Sequence, residues 1–500
     1  MALSRADIDA AIARCQSHGR VLVTAQRVDD LETPVSAYLK LSGAAPYSCL
    51  LESVEGGAYR GRYSAIGLDP DLIWKSENGA ASIARADSSN GRPDRFEPAG
   101  APLESLRALI EESALDMPGG LAPIAAGLFG YLGYDMIREV ERLPSLAAPD
   151  PLGTPDGLLM RPRVMIVFDA IAQEITAAAP ARISKGETAR EAVEAAVRRI
   201  EAVFERLDAP ASGHRAGTPA APMDAPASNM AETAFRGNVE KAKAYIRAGD
   251  AFQIVGSQRF SAPFSLPPFA LYRSLRRTNP SPFLFFFDFD GFAIAGSSPE
   301  IQVRVRDGKV TLRPLAGTRP RGSTPEQDAA NEAELKADPK ELAEHLMLLD
   351  LGRNDVGRVA KPGSVRVTER EVIERYSHVM HIVSNVEGEL DPEHDAVSAL
   401  FAGFPAGTVS GAPKVRAMEI IDEMEPHRRG IYSGAVGYFG ADGSLDTCIA
   451  LRTAIIKDGT MYVQAGAGMV LDSDPEAERQ ESINKAKAVF RAADEAWRFV

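Results

Sequence analysis

Strand-like runs in this chain come in blocks, with helices grouped between the blocks instead of alternating with them one for one. VLVTAQ, YSCLLESVEGG, YRGRYSAIG and DLIWK follow one another early, parted by Gly, Pro and Asp turns. PRVMIVFDAIAQEITAAA, the stretch from Pro282 to Arg319, VRVTEREV with HVMHIVSNVEGEL, and the run from IYSGAVGYF to YVQAGAGMV repeat the habit. This order predicts an α+β fold with antiparallel sheets. Helices are predicted around 103–114, over 187–207 and 232–248, at LYRSLRR, and from Pro475 to about Val500. TPEQDAANEAELKADPKELAEHLMLLDL reads as two helices broken at Pro339, because proline fits a first turn but not a helix interior.

Residues 208–229, DAPASGHRAGTPAAPMDAPASN, have almost nothing to bury and read as a flexible linker. It divides the chain into an N-terminal domain, 1–207, and a second domain, 230–500. Lys plus Arg number 56 against 69 Asp plus Glu, a formal net charge of −13, which opposes nonspecific attraction to nucleic acid or an anionic membrane. Cys15, Cys49 and Cys448 are scattered and odd in number, so neither a disulfide framework nor a cysteine zinc site is expected. The N-terminus reads as a helix capped by Ser4 and stopped near Gly19, without the apolar core of a secretory signal. No run approaches the roughly 20 apolar residues that span a bilayer. A cytoplasmic protein is expected. No GxxxxGK[ST] loop is present, nor a GxGxxG after a strand.

Candidate chemistry gathers around FAGFPAGTVSGAPKVRAMEIIDEME, residues 401–425. Gly407, Thr408, Ser410, Gly411 and Pro413 form a tight loop entering a helix with apolar positions Val415, Met418 and Ile421, whose free amides favour an anion. Glu341 and Glu344, and likewise Glu478 and Glu481, sit three apart on predicted helices, so each pair can point one way. Facing one site they suit Mg2+; taken singly, each pair is a solvated face, and Glu481 can pair with Lys485 one turn on. His381 lies on an otherwise apolar strand, with His378 on its opposite face, as a structural residue or as a proton donor or acceptor. Arg452 in IALRTAI is an arginine inside an apolar strand, and its partner is either an internal carboxylate or that of a ligand. Gly466 and Gly468 admit a close ligand or mark a bulge. Glu300, beside a proline at a strand end, is a turn residue or a general acid.

PLAGTRPRG, EHLMLLDLGRNDVGRV, YSHVMHIVSNVEG, FPAGTVSGAPKVRAMEIIDEMEP, GIYSGAVGYF, ALRTAI and QAGAGMVLDSDPEAERQESINKA resemble the chorismate-binding enzymes, in that order. With LLESVEGG, GRYSAIG and NPSPFLFFF the resemblance runs from about residue 20 to 495 and is to the anthranilate-forming branch. It implies a sandwich of large antiparallel sheets with helices outside, acting on chorismate. Glu344 and Glu481 would hold Mg2+ against the ring carboxylate, with Glu341 and Glu478 near. Tyr432, Arg452, the amides of Gly466, Ala467 and Gly468, and Lys485 would grip the enolpyruvyl carboxylate. Gly317 and Thr318 would line the ring and Thr408 would position it. Glu300 would protonate the leaving hydroxyl, and His381 would assist the elimination that releases pyruvate.

Relatives that add water carry lysine where this chain has Gln253, and those that place the amine para carry lysine where it has Ala316. The first difference disfavours water addition and the second the para-aminating aminodeoxychorismate route, so both favour anthranilate. A noncatalytic tryptophan-binding module is the reading of another class. No cysteine has a glutaminase setting, so ammonia is expected from a separate amidotransferase subunit in a hetero-oligomer, or as free ammonia. Glu52, Ser53, Asn279, Pro282, Phe283 and Leu284 resemble the family's tryptophan feedback site, although Phe283 and Leu284 depart from the commoner NPSPYM.

Overall fold

The computed structural model describes residues 3–43, 46–55, 59–86, 91–144, 148–210, 225–376 and 379–500. Its strands pair antiparallel and form two ladders in the second half. One runs from Gln253–Pro263 through Thr460–Met469, Thr453–Lys457 and Phe292–Ser298 to Phe283–Phe289. The other runs from Ala435–Gly440 through Leu445–Ile449, Ile301–Arg306 and Lys309–Leu312 to Val379–Glu389, which is flanked by Leu315–Pro320 and Arg366–Arg375. The first half lengthens both ladders. Ser48–Glu52 adds to Phe283–Phe289, and Gly127–Leu132 adds to Ala435–Gly440. Both additions lead into the long paired strands Tyr63–Glu77 and Gly157–Asp169, so one connected sheet folds over on itself.

Side chains on successive strand residues point to opposite faces, and the core follows that period of two. Phe285 and Phe287 pack with Cys49, Phe129, Val436 and Cys448 between the ladders, in a core made by strands of both halves. Leu284 and Phe286 point the other way and pack with Tyr272, Val193 and Phe490 of the outer helices. Leu349, Leu400 and Phe401 cover Val303 and Val305 on the outside of the second ladder. The result is the expected α+β sandwich with helices outside.

Capping sets the helix limits. Arg5–His18 opens on a Ser4 capping box and ends at Gly19 in the left-handed region, φ 73°. Pro325–Ala337 and Pro339–Gly357 part at Asp338, whose carboxylate accepts from the Lys340 and Glu341 amides and so starts the second helix. Other expectations need correction. Lys414–Met424 buries Met418 and Ile421 but leaves Val415 exposed, and within the expected tight loop Gly407–Ser410 forms a helical turn. Ala227–Ser228 pairs with Phe260 and Ser261, so the end of the predicted linker joins the sheet, while 211–224 lie outside the described residues. The eight-residue helix Pro34–Leu41 carried too short a pattern to be read. Among the described residues the three cysteines are free and buried, and no helix is long and apolar enough to cross a membrane.

Candidate active site

The site lies where the two ladders, the Pro339–Gly357 helix and the Pro475–Glu495 helix converge. Gly317 interrupts the Leu315–Pro320 strand: the register with Val379–Glu389 slips between Ala316 and Thr318, and φ is +70° at the glycine. Such a bulge re-aims the next side chain. Thr318 Oγ1 comes within 3.0 Å of His381 Nδ1, and the Gly317 carbonyl oxygen lies 3.1 Å from the same nitrogen. A carbonyl only accepts, so Nδ1 carries the proton and Nε2 is left bare. Burial lowers the His381 pKa to about 4, with Arg452 and Lys485 adding repulsion, so the imidazole is a neutral base at neutral pH. His378 lies outside the described residues.

Glu300 is buried between the strands Phe292–Ser298 and Ile301–Arg306. Burial pushes its carboxyl up to about 8, against hydrogen bonds from the Thr408 hydroxyl, 3.1 Å away, and the Leu315 backbone. It therefore holds a proton at neutral pH and can give one. Thr408 comes from the helical turn of the 401–425 stretch, which joins that stretch to the acid.

Arg452 corrects the sequence expectation: it sits in a bend between Leu445–Ile449 and Thr453–Lys457, with φ 47°, and not within a strand. Its carbonyl accepts from the Ser297 amide, while the Glu300 carbonyl accepts from Ile449, which places both residues on neighbouring strand ends. Burial lowers its pKa, and no carboxylate lies within ion-pair distance of it among the described residues. A guanidinium so placed is incomplete without an anion. The Tyr432 hydroxyl lies close to Gly466: a Cβ on Gly466 would come within 3.0 Å of that oxygen and 2.5 Å of the Gly256 carbonyl. Gly466, Ala467 and Gly468 form regular ladder with Ser257, Gly256 and Val255, so the bulge reading fails and close approach remains. Lys485 Nζ reaches the Gly466 carbonyl at 3.1 Å and Glu481 at 2.7 Å.

The four glutamates divide into two kinds. Glu341 meets Arg319 at 3.1 Å, and exposed Glu481 meets Lys485. Glu344 and Glu478 have no basic group within ion-pair distance among the described residues. Burial raises the Glu344 pKa, with Glu341 and Glu481 adding repulsion; burial also raises Glu478, with Glu481 adding repulsion. Gln253 Nε2 donates to Glu344 at 2.9 Å, while its buried Oε1 has no partner. Among the described residues no three His, Cys, Asp or Glu side chains stand at metal-binding spacing. The donor set nevertheless fits a hard divalent cation: mutually repelling carboxylates and an orphaned amide oxygen are short of positive charge.

Two buried ion pairs that carry no local sequence signal brace the site. Arg429, 2.7 Å from Glu425, donates to the Val409 and Val255 carbonyls, and the guanidinium lies 5.5 Å from the Tyr432 ring centre. Lys414 and Asp355, 2.9 Å apart, tie the Lys414–Met424 helix to the helix of Glu344. On sequence these are ordinary surface charges, and only the fold encloses them.

At the other end of the first ladder, Glu52 stands opposite Leu284 and accepts from Tyr272 and Arg276, at 2.6 Å each for the Tyr272 hydroxyl and Arg276 Nε. Asn279 Nδ2 is buried without a partner, and the Asn279 carbonyl accepts from Ser297. Pro282 and Phe283 are half-buried beside them, and Ser53 follows Glu52 and accepts from the Gly61 amide through its carbonyl.

Residues 69–491 match the family described as chorismate binding enzyme. Anthranilate synthase component 1 of Cereibacter sphaeroides is 60% identical over 481 residues, 96% of this chain and 95% of that one. The protein of the same name from Pseudomonas aeruginosa is 49% identical over 95% of this chain and 96% of that one. The crystal structure of anthranilate synthase component I from Streptococcus pneumoniae superposes with a TM-score of 0.75 at 39% identity, covering 93% of this chain and 100% of that chain.

Proposed function

The chain belongs to the chorismate-binding enzymes, and from that membership we propose that it converts chorismate and ammonia to anthranilate, pyruvate and water. The observation that supports the reading is that Glu300, a buried carboxyl holding a proton, and Arg452, a half-buried guanidinium with no carboxylate at ion-pair distance among the described residues, sit on neighbouring strand ends. The enolpyruvyl carboxylate supplies the counter-charge, with the Tyr432 hydroxyl, the Gly466–Gly468 backbone and Lys485 alongside. Glu344 and Glu481 would hold Mg2+, with Glu341 and Glu478 next to them, and the ion would neutralise the ring carboxylate when bound. Thr318 and the bulged Gly317 line the ring.

Ammonia adds to the ring as Glu300 gives its proton to the departing hydroxyl, which leaves as water. Thr408 holds the acid in place. His381 Nε2 then takes the proton from the ring carbon that bears the new amine, the ether bond to the enolpyruvyl group breaks, pyruvate departs and the ring becomes aromatic. Gln253, anchored to Glu344, offers no base for water, whereas neutral ammonia is already a nucleophile.

The relatives are named as a component 1, and ammonia from a glutaminase component 2 in a hetero-oligomer is part of the proposal. Tryptophan is proposed to inhibit at Glu52, Ser53, Asn279, Pro282, Phe283 and Leu284, where the buried Glu52 carboxylate suits an amino group and the unpartnered Asn279 amide suits a carboxylate. Purified chain given chorismate, Mg2+ and ammonium at mildly alkaline pH is expected to produce anthranilate fluorescence, with the product identified chromatographically. An aminodeoxychorismate product, or tryptophan binding without turnover, would overturn the reading.

A further inference from the structure

A half-open cavity lies in the first half, lined by none of the residues of the candidate active site. It has a volume of about 420 Å³ and lies between the strands Arg20–Val28, Tyr63–Glu77, Ala80–Arg85, Gly157–Asp169 and Glu174–Arg182 and the Ala189–Asp208 helix, lined by seven basic side chains against three acidic ones. That excess is opposite in sign to the chain as a whole, whose net charge is −13. The acidic residues on its wall are largely committed. Arg161, itself buried, takes Asp71 through Nε at 2.8 Å and Nη2 at 2.9 Å and Glu112 at 3.0 Å, and Arg85 takes the other face of Glu112 in a bidentate pair.

Arg20, Arg182 and Lys185 are left with no carboxylate within ion-pair distance among the described residues. Arg20 donates to the Glu112 carbonyl at 3.1 Å and Arg182 to the Ser113 carbonyl at 2.8 Å, so both cap the end of the Pro102–Ser113 helix. Capping alone does not balance them, because a helix end presents roughly half a negative charge and two guanidiniums share it. Arg182, mostly buried, shows the shortfall: burial, together with repulsion from Arg161 and Arg20, lowers its pKa to about 10. An arginine held between other cations is stabilised by whatever anion enters.

We propose that this cavity is a binding site for a phosphate-bearing small molecule, gripped by Arg20, Arg182 and Lys185. Planar guanidinium forks match phosphate oxygens bidentately, and several uncompensated cations suit a ligand of charge −2 or more better than a monocarboxylate. The volume admits a small phosphorylated metabolite.

The test titrates the intact chain with orthophosphate, pyrophosphate, a sugar monophosphate and, as control, acetate, following thermal midpoint and calorimetric heat at fixed ionic strength. At least one phosphate compound is expected to saturate and raise the midpoint, and the arm that binds tightest identifies the source. Exposed Lys185 gives a variant that leaves the fold undisturbed: Lys185→Glu is expected to weaken that ligand at least tenfold, and Arg182→Gln to do the same. No saturable response to any of the three, equal response to acetate, or an unchanged Lys185→Glu titration would overturn the proposal.

Discussion

Glu300 and His381 show how burial holds two titratable groups in opposite protonation habits. Burial disfavours charge on both, so the acid is held protonated up to about 8 and the base is held neutral down to about 4. For Glu300 the folded pKa is raised, so its contribution to stability is fully present below the ordinary carboxylate range. That contribution is lost as pH climbs to about 8, at about 1.4 kcal/mol per pH unit. Chemical denaturation across that window is expected to show the slope in the parent and to lose it in Glu300→Gln. The same variant is expected to cut turnover by about 10²- to 10⁴-fold. In the parent, the rate per concentration of free ammonia is expected to fall as pH passes about 8. His381→Ala is expected to block pyruvate release more than amination, so that an aminated intermediate accumulates in the chromatogram while pyruvate, followed by a coupled dehydrogenase, lags behind chorismate loss. Equal slowing of the two steps would remove the imidazole from the elimination.

At the scale of single elements, the bulge in Leu315–Pro320 does what neither neighbour could do alone. With φ at +70° and the nearest atoms, Ile382 Cδ1 and a Glu341 oxygen, 3.1 and 3.2 Å from where a Cβ would stand, only glycine fits without cost. Gly317→Ala is expected to destabilise the chain by about 1–2 kcal/mol, read from the denaturant midpoint, and to pull Thr318 away from His381. Helices such as Arg5–His18 and the pair parted at Asp338 were legible because Ser4, Gly19 and Pro339 are local signals. Partners were not. That Glu52 would face Leu284, or that Gly127–Leu132 would lengthen the second-half sheet, depends on pairing between residues hundreds of positions apart, which no local pattern encodes. The same blindness put Arg452 in a strand: IALRTAI has the composition of one, and the bend at φ 47° arises from where two ladders end. Thr318 meets His381, Thr408 meets Glu300 and Lys485 meets Gly466, while Arg429, Glu425, Lys414 and Asp355 went unseen because their burial is a property of the finished packing.

Across the whole molecule, the two halves are not independent bodies in their interior. Phe129 and Tyr131 of the first half share a core with Phe285, Phe287 and Tyr438 of the second, and two strand pairings cross between them. Expressed separately, segments 1–210 and 225–500 are expected to expose these faces, bind a hydrophobic dye and aggregate, and to recover a soluble complex when expressed together. A monomeric, cooperatively unfolding 225–500 fragment would show that the shared core is dispensable. Arg452 carries a further consequence for the molecule as a whole. A half-buried guanidinium with no carboxylate at ion-pair distance among the described residues is positive charge the chain itself leaves uncompensated, at a cost in stability. Arg452→Met is therefore expected to raise the thermal midpoint while abolishing turnover, the charge that serves the proposed ligand working against durability.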